Sequence, residues 1–362
     1  MVTATNPSER PSRDRADLQD KRGPEFGYLC VDAFMQDIFS ARALATAFEI
    51  GLIDSLRREP QPPADAVARQ PGLDGQGLGL LLGLLQRSGV LRRGGARLEL
   101  TDEFRQALEF RDLLELKLST ANFGAHDLLD HFTEMVRHPR QSIGNLKFCR
   151  LFDYQKALDD TPENYRWTKR WMQITSGLTR YEAAVCMKYH DFGRYSGMLD
   201  VGGNSGEFLL QLCRRHGQLH GSVFDLPVVC RVGREHVAGH PEAARITFVE
   251  GHAVRDRLPS GFDVVSFKSM LHDWPDEEAR LLLRRASEAL QPGGTLLIFE
   301  RAPLEPAAPM SFSMIPFLLF FGAFRSPSLY EEQLQTLGFT AIETRRVDLE
   351  MPFHLITARK SG

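Results

Sequence analysis

The stretch Gly197-Met198-Leu199-Asp200-Val201-Gly202-Gly203-Asn204-Ser205-Gly206, followed by Glu207-Phe208-Leu209-Leu210-Gln211-Leu212, decides the fold. Its first residues read as a short apolar strand, its glycines as a tight turn, and the remainder as a helix. A strand that enters a helix through a glycine turn opens a doubly wound α/β domain. The rhythm continues downstream. GSVFDL reads as a strand, VVCRVGREHV as a helix, RITFVEG and FDVVSFKSML as strands, DEEARLLLRRASEAL as a helix and GGTLLIFE as a strand. Such alternation implies parallel βαβ units with right-handed crossovers and helices on both faces. The final FTAIETRRVDLEMPFHLITAR reads as two strands without a helix between them, an antiparallel edge.

Upstream of this domain the pattern is mostly helical. Phe34, Ile38, Ala41, Leu44, Ala45 and Phe48 recur at three- and four-residue steps and predict one apolar helix face, closed by Gly51. AVARQPGL predicts a short helix and turn, and LGLLLGLLQRSGVL a strongly apolar helix. VLRRGGARLELTDEF predicts two short strands around Gly94-Gly95. Helix, turn, helix and β-wing together read as a winged helix. The stretch Leu78 to Gln86 has no Lys or Arg, so it offers little to phosphates or base edges. The chain therefore divides into a disordered tail over 1–23, a helical winged-helix region with linker helices over 24–185, and an α/β domain over 186–362.

Of 362 residues, 43% are hydrophobic and 25% charged, which excludes wholesale disorder. A net charge of −3 excludes a broadly basic nucleic-acid binder. Cys30, Cys149, Cys186, Cys213 and Cys230 are odd in number and form no C-x-x-C, so a cytoplasmic protein without a disulfide framework or zinc ribbon is expected. The N-terminal segment has no apolar core of a signal peptide. The most apolar stretch, Phe312–Phe324, is interrupted by Pro316 and Gly322 and is too short to span a bilayer. No membrane association is expected.

The glycine turn runs G-G-x-x-G, not the G-x-G-x-x-G that suits a pyrophosphate. Asp200 sits two residues ahead of it, where a carboxylate repels phosphate and attracts an ammonium. Asp225 ends the next strand, placed for a ribose diol. An ammonium, a ribose and no phosphate describe S-adenosyl-L-methionine, which leaves S-adenosyl-L-homocysteine after use.

The segments LDVGGNSGEFLLQL, VFDLPVV, FKSMLHDWPDEEARLLLRRASEALQPGGTLLIFE and LFDYQKALDDTPENYRWTKRWM resemble the caffeate-type small-molecule O-methyltransferase family, including its bacterial natural-product tailoring branch. The likeness runs from about Phe34 to Lys360. It implies a Rossmann-like class I methyltransferase domain, an N-terminal winged-helix dimerisation domain and a homodimer. It places Asp200, Gly202, Gly203, Gly206, Asp225, Leu226, His252, Ala253 and Lys268 at the cofactor. It makes His272 the general base and Glu300 the carboxylate bonded to its imidazole. Met172, Asp273, Met314, Phe317 and Phe321 are implied to contact the acceptor.

The residues agree with this chemistry. A hydroxyl is a poor nucleophile while protonated, and imidazole titrates near neutral pH. His272 follows a strand, hence stands at the carboxyl edge where such sheets bind ligands. Phe312, Met314, Phe317, Phe320, Phe321 and Phe324 suggest flat apolar contacts for an aromatic or polyketide-like acceptor. Three positions depart from the family pattern. Pro327 stands in the place of a second brace glutamate, with Glu331 and Glu332 further on. His252 replaces an aspartate near the adenine, and Ser313 replaces a frequent acid. These leave open a relative that methylates carbon or nitrogen or performs another reaction. A winged-helix regulator is a third reading. No metal is expected, since Asp273 and Asp276 have no further acids around them, and the pairs His216/His220 and His236/His240 stand near helix ends.

Overall fold

The computed structural model describes residues 23–59, 74–94, 97–305 and 309–362. Residues 1–22 of the tail expected over 1–23, the helix read over 66–73 and Gly95 of the expected wing lie outside the described residues.

The described chain opens with a 3-10 segment, Pro24–Phe34. Asp37 then caps α1 (Ile38–Glu49), its carboxylate accepting the Ser40 N–H at 2.9 Å. That satisfies one amide that a helix start leaves unbonded. The continuous face expected from Phe34 to Phe48 is thus split: Phe34 belongs to the 3-10 segment, and Ile38 is exposed on the first turn of α1. Gly51, at φ +72°, turns the chain into α2 (Leu52–Arg58). In α3 (Gly75–Arg87), Leu78, Leu81, Leu82 and Leu85 are buried. Leu91–Gly94 (β1) pairs antiparallel with Arg97–Leu100 (β2). Short α4 (Asp102–Ala107) leads into two long helices, α5 (Arg111–Arg137) and α6 (Pro162–Tyr189).

The second half is a seven-stranded sheet. Its strands are β3 (Gly197–Val201), β4 (His220–Asp225), β5 (Ile246–Glu250), β6 (Phe262–Lys268), β7 (Leu290–Arg301), β8 (Thr340–Asp348) and β9 (Pro352–Arg359), in the order β5-β4-β3-β6-β7-β9-β8. Strands β3 to β7 pair in parallel, and β9 and β8 complete the sheet antiparallel, as the helix-free C-terminal sequence predicts. The fold is therefore Rossmann-like α/β.

Alternation along the strands sorts side chains onto two faces. Val264, Leu297 and Phe299 join one core with Phe208 and Leu209 of α7 (Glu207–Arg215). Their neighbours Val265, Leu296 and Ile298 pack on the other side. There they meet Leu282, Leu283 and Ala286 of α9 (Asp276–Ala289). Between those two helices in sequence, α8 (Pro227–Val237) packs Val228 and Val229 against Trp171 and Met172 of α6. Helices α5 and α6, with short α10 (Ile315–Leu319), cover the carboxyl ends of the parallel strands; α11 (Pro327–Thr336) buries Tyr330 and Leu334 against the α9 side. Parallel strands end on one side, so their last residues converge under this cover.

Candidate active site

The space under that cover is a cavity of about 450 Å³. Its floor is the glycine turn and the ends of β4, β6 and β7; its roof is one face of α6, formed by Trp171, Ile174, Thr175, Leu178, Thr179 and Glu182. Gly202 has φ +68°, and a Cβ there would stand 2.4 Å from Met270 Cγ. At Gly203 a Cβ would stand 2.6 Å from Asp200 Oδ2. Both positions need glycine for the backbone to pass so close. Gly206 caps α7 at φ +74° and lies outside the cavity wall, so its part is the turn.

Asp200 is buried. Ser266 donates to its Oδ1, while Oδ2 has no partner. Burial pushes its carboxyl up to about 7, against the Ser266 hydrogen bond and Lys268. A buried acceptor without a donor beside a glycine turn fits the ammonium of an amino-acid moiety. Asp225 takes the Asn204 N–H at 2.9 Å and the Leu226 N–H at 2.8 Å. Burial raises it to about 6. Each of its oxygens keeps a second lone pair for a diol. Leu226, His252 and Ala253 continue the wall beyond it. The donor expected from the sequence therefore fits these residues. Lys268 also lines the cavity, with its ammonium ion-paired to buried Glu182 and 2.9 Å from Thr179 Oγ1.

His272 sits in a 3-10 turn, Leu271–Asp273, just after β6. Its Nδ1 is 2.8 Å from Glu300 Oε1, at the end of β7. Glu300 is itself fixed: Oε2 accepts the N–H groups of Met270 (3.1 Å), Leu271 (3.0 Å) and His272 (3.4 Å), and Oε1 accepts that of Arg301 (3.0 Å). Burial opposes charge on the imidazole, but the Glu300 and Asp273 carboxylates outweigh it and hold the His272 pKa above its ordinary value. Burial likewise opposes the Glu300 charge; His272, hydrogen bonds and Arg301 hold its pKa below the ordinary range. The two shifts describe one ion pair awaiting a proton. Asp273 Oδ1 lies 3.5 Å from His272 Nε2, and its Oδ2 accepts from the Tyr154 hydroxyl at 2.9 Å. Burial raises the Asp273 pKa, partly offset by His272.

The second brace is not a carboxylate. Pro327 is the first residue of α11, Glu331 bonds Thr344, and Glu332 is exposed. Arg325 steadies the turn instead, donating to Leu271 O at 2.7 Å, to Trp274 O, and to Asp276 Oδ1 at 2.7 Å. Glu300 alone holds the His272 Nδ1.

The acceptor side is partly corrected. Phe317, Phe320 and Phe324 line the cavity, joined by Phe148 and Phe152; the Phe324 ring meets His272 edge-on at 5.4 Å. Asp273 lines it as expected. Met172, Met314 and Phe321 do not. Met172 is one step around α6 from the roof residues and is buried against Val228 and Val229. Met314 ends a 3-10 turn, and α10 stops at Leu319, so the four-residue step from Phe317 to Phe321 is not helical. Ser313 is buried at the wall and paired with Ser311 at 2.6 Å. Sequence reasoning missed Tyr154, Glu182, Arg301 and Arg325. Only the Phe152-Asp153-Tyr154 stretch, already part of the family likeness, could have pointed to one of them. Among the described residues no three His, Cys, Asp or Glu side chains form a group able to hold a metal, and no helix is long and apolar enough to cross a membrane.

A family model described as an O-methyltransferase domain matches residues 130–340. A 3-hydroxy-5-methyl-1-naphthoate 3-O-methyltransferase of Streptomyces sahachiroi is 35% identical over 156 residues, 41% of this chain and 44% of that protein. The chain thus spans less than half the length of that relative. A mitomycin biosynthesis 6-O-methyltransferase of Streptomyces lavendulae is 27% identical over 325 residues, 89% of this chain and 90% of the relative. The solved structure of human N-acetylserotonin methyltransferase in complex with S-adenosylmethionine superposes with a TM-score of 0.70 at 21% identity, covering 99% of this chain and 100% of that one.

Proposed function

The chain belongs to the O-methyltransferase family, and from that premise we propose that it moves a methyl group from S-adenosyl-L-methionine to a hydroxyl of a small aromatic or polyketide-like acceptor, with His272 as general base. The observation that carries this reading is the imidazole at the cavity wall, bonded through Nδ1 to a buried Glu300 that four backbone amides hold in place.

The cofactor, when bound, supplies an electrophilic methyl on a sulfonium. Asp200 would hold its ammonium, Asp225 its ribose, and Leu226, His252 and Ala253 its base. Because Glu300 accepts the Nδ1 hydrogen, the neutral tautomer leaves the lone pair on Nε2. That nitrogen would take the acceptor's hydroxyl proton as the oxygen gains the methyl and the sulfonium C–S bond breaks to leave S-adenosyl-L-homocysteine, and Glu300 would stabilise the resulting imidazolium. Phe317, Phe320 and Phe324 give the acceptor ring its apolar wall and exclude water.

The protein acts as a cytoplasmic homodimer in this reading. All five cysteines are unpaired, which suits a reducing compartment. Ile38, Phe39 and Leu80 on α1 and α3 are exposed by 45%, 62% and 68%, an apolar surface suited to a second copy. The α3 stretch from Leu78 to Gln86 carries no Lys or Arg to meet phosphates, which argues against nucleic acid. A mass-shift screen of aromatic hydroxyl compounds with deuteromethyl-labelled donor tests the activity. A labelled O-methyl product supports it, and transfer only to carbon or nitrogen overturns it.

A further inference from the structure

A second carboxylate stands beside the base, and a residue remote in sequence holds it there. Tyr154 opens a 3-10 turn, Tyr154–Ala157, between α5 and α6, and lines the cavity. Its ring packs edge-on against Trp171 of α6 at 5.4 Å and 78°, which holds the hydroxyl in place. Burial, followed by the Asp273 carboxylate, pushes the phenol pKa well above its ordinary value, so the hydroxyl keeps its proton and can donate. It donates to Asp273 Oδ2 at 2.9 Å, the one side-chain hydrogen bond that this carboxylate makes among the described residues. Asp273 Oδ1 then lies 3.5 Å from His272 Nε2. That nitrogen carries the lone pair of the neutral ring, because Nδ1 is committed to Glu300. A carboxylate gains nothing from a lone pair and much from an N–H, so Asp273 in this position favours the imidazolium. Without Tyr154 the position is not secured. The Asp273 side chain is 21% exposed, so an untied carboxylate is drawn to water. Burial also favours its neutral form, against His272 and the Tyr154 hydrogen bond. Either route takes charge away from His272. The other charges acting on the pair are Glu300 and Arg301 at the end of β7 and Asp225 at the end of β4, and none of them bonds the Asp273 carboxylate.

We propose that Tyr154 is a positioning residue for the proton transfer: by tying Asp273 beside His272 Nε2 it gives the imidazolium a second counter-ion, secured from the helical cover across the cavity. The inference rests on the reading of His272 as general base. In the transfer step the acceptor's hydroxyl proton passes to Nε2, while Tyr154 keeps its proton and Asp273 stays ionised. Glu300 answers the positive charge from the Nδ1 side and Asp273 from the Nε2 side. Tyr154 touches neither His272 nor the reacting atoms in this scheme and acts through Asp273 alone.

An NMR pH titration of the full chain carrying isotope-labelled histidine tests this without an acceptor, the His272 signal being identified by its loss in His272→Ala. Asp273→Asn is expected to lower the His272 midpoint by about 1 pH unit or more, the scale of one nearby charge removed. Tyr154→Phe keeps the ring against Trp171 and removes only the hydroxyl; it is expected to lower the midpoint in the same direction by about half a unit or more. The double variant is expected to titrate within about 0.3 of Asp273→Asn alone, because a tie has no effect once the charge it holds is gone. A Tyr154→Phe midpoint that is unmoved or raised would overturn the inference. So would an equal fall from Tyr154→Phe in both backgrounds, which would make the tyrosine act on His272 without Asp273. Either result, with labelled-methyl transfer still abolished in His272→Ala, leaves the base reading intact. Transfer that survives in His272→Ala would overturn the base reading and this inference with it.

Discussion

Glu300→Gln removes one charge and almost no volume. The imidazolium formed during transfer then loses its buried counter-ion. With charge centres about 4 Å apart and an effective dielectric near 20, that attraction is about 4 kcal/mol. With the glutamine carbonyl accepting from Nδ1, its NH₂ meets the Met270, Leu271 and His272 N–H donors that Oε2 accepted, so the turn is disturbed as well; a loss of about 2–4 kcal/mol corresponds to a fall in kcat of about 30- to 1000-fold. The pH profile carries a second signature. In the wild type the carboxylates outweigh burial and raise the His272 pKa, so the acid limb of kcat/KM lies above the ordinary histidine value, and activity rises as the base deprotonates. With Glu300 neutral, burial prevails, and the limb moves to lower pH. Initial rates of S-adenosyl-L-homocysteine formation across pH read both effects. A variant with wild-type kcat, or with its acid limb unmoved, would refute the assignment of Glu300 as the group that orients and charges the base.

Three further outcomes follow from the geometry. An ammonium ligand favours the ionised form of Asp200, whose carboxyl stands at about 7. Affinity for S-adenosyl-L-homocysteine should therefore rise between about pH 6 and about 8 with proton release, and Asp200→Asn should flatten that rise in calorimetry. In the free protein the same shift means that stability is lost as pH climbs from the ordinary carboxyl value to about 7, because the folded state holds the proton longer. Met172→Ala should cost about 2–4 kcal/mol in urea unfolding yet leave the acceptor KM unchanged, whereas Phe320→Ala should raise that KM by about fivefold or more; the opposite pattern would restore Met172 to the acceptor wall. Arg325→Met removes the guanidinium from Trp274 O and from Leu271 O, which keeps only the Trp274 N–H at 3.3 Å. It should lower stability by about 2–3 kcal/mol and reduce kcat with little change in cofactor affinity; an unchanged kcat would make Arg325 structural only.

The sheet and the glycine turn with its flanking aspartates were legible because they are local. Asp200, the glycine turn and Asp225 are fixed by strand ends and a turn, and backbone sterics write such features directly into sequence. The resemblance named His272 and Glu300, and the parallel topology explains why they share one edge: Glu300 lies at the end of β7 and His272 in the turn just after β6. What failed depended on rotation about a helix or on where a helix stops. Met172 is a neighbour in sequence of Trp171, but only one of them faces the cavity. Phe321 misses the wall because α10 ends early, after Pro316 and a single turn. The part of Arg325 was not legible because two of its partners are backbone carbonyls 51 and 54 residues away, which leave no trace in residue type, and the third, Asp276, lies 49 residues off at no telling spacing. The buried Lys268–Glu182–Arg301 cluster joins α6 to β6 and β7, a pairing that no spacing announces.

The account depends most directly on the proton leaving through His272 while the donor is held elsewhere. Labelled-methyl transfer and S-adenosyl-L-homocysteine affinity should be measured side by side in wild type and His272→Ala. The expected result is transfer reduced by about 100-fold or more with the dissociation constant unchanged within about threefold. Transfer that persists in the variant would contradict the account at its centre.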